Sequence, residues 1–265
     1  MLRSLLRIFP MSMRQSIYYR LLNQRNFHLK HMANFKSAPL LFSPKVKMLD
    51  LVAGDVISGN LAFLGFYERV LSHEMVIQAT KGGLLVDVGA NMGYYSLIWC
   101  GQNVNNRVYA FEASPGVAKK LENNIAANNF NSRIKLYSLA VGASKGEMDF
   151  ELGSDIQTGW GGLAHQKGAS TVTVKVERLD EIIFEAIDVL KIDIEGADTW
   201  ALLGAEKLLQ KKLIKKIFFE QNYDRMKILG IKEGAAQEFL QHMGYVCQGL
   251  VAKNDRFVEF VAWPK

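Results

Sequence analysis

The stretch LLVDVGANMGYYSL (84–97) decides the fold. An apolar run ends in Asp87, two glycines bracket Asn91, and an amphipathic segment follows, so a strand turns tightly into a helix. Working outward, the pattern repeats. Strand 84–88 leads to helix 94–101, strand 107–111 to helix 115–128, and a strand is expected at 134–140. Strand 188–193 leads to helix 198–210, and strand 215–220 to a helix near 233–242. Segments 147–152 and 171–176 read as strands around a glycine-rich loop, and YVCQGLVA and FVEFVAWP close the chain as a hairpin-like pair. Strands alternating with helices imply an α/β fold with a parallel sheet covered on both faces, and a terminal hairpin puts antiparallel strands at its edge. Ligands of such sheets bind beyond the carboxyl ends of the strands, where the strand order reverses.

Composition bounds the rest. The chain has 265 residues, 49% hydrophobic and 22% charged, enough for one large domain plus an extension. The net charge of +6 is uneven: Met1–Leu49 carries nine basic residues and no acid. The remainder then holds 32 − 9 = 23 basic residues against 26 acids. The domains are therefore read as a basic, largely helical extension over 1–48 and a main domain over 49–265. Short helices are expected at 1–9 and 12–25, a strand pair at 45–52 and 55–58, and a helix over 63–79. Cys100 and Cys247 show no disulfide or metal spacing, and a reducing compartment follows. No apolar run reaches membrane-spanning length, and Arg3 and Arg7 interrupt the first apolar stretch, so the chain reads as cytoplasmic.

The glycine turn carries the first chemistry. GANMG is not the G-x-G-x-x-G of a dinucleotide site, whose pyrophosphate needs bare backbone. Gly89 lets backbone approach a ligand and Gly93 allows close packing at the helix start. With Asp87 before the turn, an ammonium-bearing ligand such as S-adenosylmethionine suits it better than a phosphate. Glu112, in VYAFEASP (108–115) at the tip of the neighbouring strand, can accept hydrogen bonds from ribose hydroxyls. Ala140, in YSLAVG (137–142), leaves room for a planar base. In DVLKIDIEGAD (188–198), period two places Lys191, Asp193 and Glu195 on one side of the strand end. There a carboxylate can position a hydroxyl or take its proton. Each of these acids also has a plainer reading as a turn former or helix cap.

VDVGANMGYYS, AFEASP, LAVGASKGEMDF and VLKIDIEGAD, in that order, resemble the FkbM-type methyltransferases over about residues 54–245. The resemblance implies a Rossmann-like class I methyltransferase sheet, S-adenosylmethionine as cofactor, and methyl transfer mostly to hydroxyl oxygens, often of sugars. It implies that Asp87, Gly89, Asn91 and Gly93 surround the methionine part, that Glu112 holds the ribose, that Ala140 lies near the adenine, and that Asp193 and Glu195 face the transfer site. Tyr67 and Glu68, in GFYERVL (65–71), would close over the cofactor. Where such proteins often show an acid followed shortly by histidine, this chain has FFEQNYD (218–224): Glu220 is kept, on the acceptor side, and Gln221 and Asn222 follow.

In SDIQTGWGGLAHQKG (154–168), Trp160 offers a face for a sugar ring, and His165 is a base candidate, since the unperturbed pKa of histidine, about 6.5, suits proton removal at neutral pH. No histidine spacing and no Asp-Asp-Asn set points to a metal, so none is expected. For the arm, a helical cap, a contact of residues 1–36 with an anionic (inner) membrane surface, and an anionic-polymer site remain open. Tyr18 and Tyr19 are candidates for an oligomer contact. The leading expectation is an O-methyltransferase acting on a sugar or glycan. The alternatives are a nucleic-acid or N-methyltransferase, disfavoured by the lack of an N/D-P-P-Y/F motif after the fourth strand, and a membrane-associated cofactor-binding scaffold. A dehydrogenase comes last.

Overall fold

A computed structural model describes residues 6, 8–22, 35–52, 54–152, 161–163, 171–254 and 256–265. Along the chain run α1 (Met11–Leu22), β1 (Ser37–Pro39), β2 (Lys47–Leu49), α2 (Val56–Phe63) and α3 (Arg69–Ala79). Next come β3 (Leu84–Val88), α4 (Tyr94–Gln102), β4 (Arg107–Phe111), α5 (Pro115–Ala127) and β5 (Ile134–Tyr137). β6 (Ala140–Val141), β7 (Gly146–Glu151), β8 (Gly162–Leu163) and β9 (Thr171–Glu177) follow. The last stretch holds β10 (Val189–Ile192), α6 (Asp198–Leu203), α7 (Glu206–Gln210), β11 (Ile217–Asn222), α8 (Tyr223–Ile228), α9 (Ala235–His242), β12 (Tyr245–Asn254) and β13 (Phe257–Pro264).

The main sheet has seven strands in the order β12-β13-β11-β10-β3-β4-β5. β11, β10, β3, β4 and β5 are parallel, and β13 and β12 are antiparallel at the edge. The terminal pair is thus confirmed, with the last strand inserted between β11 and β12. β3 is buried along its whole length, as a strand covered on both faces must be. Its residues alternate between two cores: Leu85 packs with Trp99 and Met75, while Leu84, Val86 and Val88 pack with Leu190, Ile192 and Phe219. Strand order reverses at β3, between β4 and β10, so a crevice opens at their carboxyl ends.

Several boundaries differ from expectation. The strand expected at 134–140 breaks after Tyr137, and Ala140 starts a second, four-stranded sheet, β6-β9-β7-β8, which stands over the carboxyl ends. The strand expected at 55–58 is helical because the Asp55 side chain accepts from Ser58 N at 2.7 Å and caps α2. The helix expected over 63–79 begins only at Arg69, as α3, since Gly65 (φ 82°) and Glu68 (φ 41°) leave helical geometry after α2 ends at Phe63.

The N-terminal segment shares the main core. Tyr18 is fully buried and stacks on Phe63, 5.3 Å between centroids, and Leu40 and Met48 join the same cluster. Burial in the monomer removes Tyr18 from any oligomer contact. Arg14 turns inward, donating to the carbonyls of Leu64 and Phe9 at 3.1 Å each. β2 is fastened to α5 by Asn124 and Asn128, which accept from Leu49 N and Lys47 N. No helix among the described residues is long and apolar enough to cross a membrane.

Candidate active site

The crevice has two lobes that share Gly89, Asn91, Asp193 and Glu195. The smaller is apolar, walled by Phe111, Leu139, Ala140, Val141 and Phe150, with Glu112 and Ser114 at its polar side. Ala140 lines this lobe from the second sheet rather than the main one. The larger lobe, about 500 Å³, is lined by Tyr67, Glu68, Tyr94, Tyr95, Lys191, Asp193, Glu195 and Glu220.

The turn after β3 is built by close packing. Gly89 (φ 75°) donates its N–H to Phe111 O at 3.0 Å, and a Cβ there would lie 1.9 Å from Asp193 O. Asn91 takes a left-handed conformation (φ 51°), with its Oδ1 accepting from Met92 N at 2.7 Å. Gly93 (φ 94°) precedes α4, where a Cβ would lie 2.4 Å from Leu121 Cδ1. The turn thus joins β3 to the tips of both neighbouring strands.

Glu112 is buried at the tip of β4. Its two carboxylate oxygens accept separately from Asn91 N at 2.9 Å and Ser114 N at 2.8 Å. Burial outweighs these bonds and raises its pKa to about 7. Each oxygen keeps a lone pair for a further donor from the lobe.

Asp87 lies beneath the floor and does not line either lobe. It is fully buried, its Oδ2 accepts from Ser96 Oγ at 2.7 Å, and its Oδ1 lies 3.8 Å from Lys191 Nζ. Lys191 in turn reaches Asp193 Oδ2 at 3.2 Å and lies over the Tyr95 ring at 5.1 Å. Burial pulls its ammonium pKa down, but Asp193 and Asp87 overcome this and hold it above the ordinary value. In the sequence, the signal for this residue was a lysine inside an apolar parallel strand.

Lys191, Asp193 and Glu195 do converge, although β10 ends at Ile192. Glu195 reaches the cleft through a left-handed residue (φ 52°) rather than through strand alternation. Its Oε2 accepts from Asn222 Nδ2 at 3.0 Å. Burial, then Asp193 and Glu220, raise its pKa to about 7, opposed by Asn222 and Arg225. Asn222 is itself fixed, because its Oδ1 caps α8 by accepting from Arg225 N at 3.1 Å. Asp198 ties the two strand ends together, accepting from Ile194 N at 3.1 Å and Glu220 N at 2.8 Å.

Tyr67 and Glu68 stand over the larger lobe. The Tyr67 N–H donates to the Tyr94 hydroxyl at 3.1 Å, and the Tyr95 hydroxyl donates to Glu68 Oε2 at 2.7 Å. Tyr94 and Tyr95 were missing from the sequence-derived site. Their signal was an aromatic pair opening the helix after the glycine turn. The carboxylates of Glu68, Glu220 and Glu259 come within 4.8 Å of one another, with Glu220 and Glu259 directly opposed across β11 and β13. Trp160 and His165 lie outside the described residues.

Of the six described non-glycine residues with positive φ, three (Glu68, Asn91 and Glu195) line the larger lobe. Such strain collects where surrounding structure holds a functional geometry.

Comparison with known proteins agrees with this architecture. A solved structure, the methyltransferase FkbM from Methylobacillus flagellatus KT, superposes with a TM-score of 0.50 at 19% identity. That match covers 80% of this chain and 56% of the other, and it bears on the fold. Methyltransferase sdnD of Sordaria araneosa is 24% identical over 156 residues, 46% of this chain and 60% of the relative. The match therefore spans under two thirds of that relative's length. The sequence model of the Methyltransferase FkbM domain matches residues 87–247, from the acid beneath the glycine turn to β12. With more than half of its residues inside that match, the chain belongs to the FkbM methyltransferase domain family.

Proposed function

We propose that the protein is an O-methyltransferase that places a sugar or glycan hydroxyl in the larger lobe. The family's methyl donor is S-adenosylmethionine, which supplies an electrophilic methyl group on a sulfonium. The residues present fit it. The apolar lobe has the character of a base-and-ribose site, with the Glu112 carboxylate free to accept ribose hydroxyls on its remaining lone pairs. Asn91 and Asp193 lie where the two lobes meet.

One observation carries the hydroxyl reading. Glu195, a carboxyl with a pKa near 7, faces the junction of the lobes and is held there by Asn222. A general base works best when its pKa is near the operating pH. In the same lobe the Glu68 carboxylate accepts from the Tyr95 hydroxyl, and Tyr67, Tyr94 and Tyr95 supply aromatic surface for a polyhydroxylated ring. Proximity and alignment of the attacking oxygen are the main contribution of the fold, with the proton passing to Glu195. Asp193, paired with Lys191, orients more than it accepts. Trp160 and His165 remain candidates for ring stacking and for a second base.

The test is to titrate the purified protein calorimetrically with S-adenosylhomocysteine, then incubate it with radiolabelled S-adenosylmethionine and a panel of glycosides and RNA. Micromolar binding and label transfer to a glycoside support the reading. No binding at millimolar ligand, or transfer confined to RNA, sinks it.

A further inference from the structure

A second cavity of about 380 Å³ opens behind Tyr67 and Glu68, between α1, the start of α3 and β12. Its volume falls within the range of small-molecule sites, about 300–1,000 Å³. Tyr67, Glu68 and Val56 line both this cavity and the larger lobe, so the two adjoin across these residues. The added wall is mixed: Tyr19, Val70, Leu71 and Val251 form an apolar side, and Gln15, Arg69 and Glu259 a polar one.

Three of these residues are conspicuously exposed: Tyr19 at 43%, Val56 at 45% and Val70 at 39%. Single exposed apolar side chains need no explanation, but a group of them around one cavity marks a binding surface. The wall is also built rather than incidental. α1 is anchored by buried Tyr18 and inward-facing Arg14, and the Tyr19 hydroxyl donates to Asn60 Oδ1 at 3.2 Å. The Tyr19 ring is thereby fixed at the cavity.

We propose that this cavity binds an apolar group of the acceptor, making the substrate an amphipathic glycoside whose sugar lies in the larger lobe and whose aliphatic aglycone lies against Tyr19, Val56 and Val70. The proposal rests on the sugar reading above for the larger lobe. Its occupant follows from the shared wall of the two cavities: one molecule lying across Tyr67 places a hydroxyl at Glu195 and a hydrophobic tail against Tyr19, Val56 and Val70. The N-terminal helix then acts as a wall of the acceptor site.

The experiment compares n-octyl β-D-glucoside, below its micelle threshold, with methyl β-D-glucoside by calorimetry on the full chain, with and without S-adenosylhomocysteine. The octyl glucoside is expected to bind at least tenfold more tightly. Val70→Asp should remove that preference while leaving S-adenosylhomocysteine affinity unchanged. Val56→Ser is the second variant, and folding of both is checked by circular dichroism. Equal affinity for the two glucosides, absence of octyl glucoside binding, or a preference that survives in the folded variants overturns the proposal. Failure of S-adenosylhomocysteine to bind overturns the methyltransferase reading instead, and the octyl preference measured without it still decides the cavity.

Discussion

Glu112 accepts a backbone N–H on each carboxylate oxygen, yet burial leaves its pKa near 7. In the proposed site, ribose hydroxyls donate to the ionised form, which would link binding to ionisation. The sign follows directly: below about pH 7 the carboxyl is protonated and accepts less well. S-adenosylhomocysteine affinity should fall by about tenfold per unit as pH drops from 7 to 5 and level off above 8, as read by calorimetry at each pH. Glu112→Gln should bind weakly at every pH; a wild-type affinity flat across this range would refute the linkage. Glu195 gives a second test. Its pKa is raised above the usual 4.5, so ionising it in the folded state costs stability as pH rises through the interval from 4.5 to about 7. Glu195→Gln should melt a few degrees higher than wild type at pH 8 and show no gain at pH 4.5, while methyl transfer collapses. Asn222→Ala removes the hydrogen bond that favours the charged form. Asp193, Glu220 and Arg225 still face the group, so the rate profile should move to higher pH.

At the scale of elements, the β3–α4 turn is held between two strands with no spare space. Gly89→Ala would bring a methyl group against the Asp193 carbonyl in a backbone conformation that side chains resist. A loss of about 1–3 kcal/mol is expected from the strain alone, read as a lower denaturation midpoint, together with weaker S-adenosylhomocysteine binding as the β10 end is displaced. The Asp55 cap on α2 is a milder case. Asp55→Ala should cost about 1 kcal/mol in the same denaturation experiment. The expected 55–58 strand failed on this feature: a strand pair around Gly54 was expected, but the carboxylate three residues before Ser58 N starts a helix. Ala140 shows a related effect. Its place beside the cleft was legible, but the switch to a second sheet was not, because nothing local marks which sheet a short strand will join.

At the scale of the molecule, the N-terminal segment is part of the core. Tyr18→Ala removes a fully buried aromatic stacked on Phe63, and a loss of about 3–5 kcal/mol is expected. Its measure is the thermal midpoint of the full chain. A change below 1 kcal/mol would mean that α1 does not pack on the domain in solution. The charge count showed that the arm is basic. It did not show that Arg14 points inward, since burial of an arginine depends on carbonyl acceptors supplied by Leu64, far along the chain.

The sequence by itself determined the alternating α/β architecture, the tight turn at Gly89, Asn91 and Gly93, and the places of Glu112 and Asp193 near neighbouring strand ends. These follow from local periodicity and from the residues that tight turns require. Only the tertiary structure decided which of them share a cavity. It placed Asp87 under the floor, brought Lys191 between two acids, and set Tyr94 and Tyr95 beneath Tyr67 and Glu68. It also made Asn222 the partner of Glu195 and α1 a wall of the second cavity. Those outcomes depend on packing between segments distant in sequence, and burial, which sets the charge state of Glu112 and Glu195, exists only once that packing is complete.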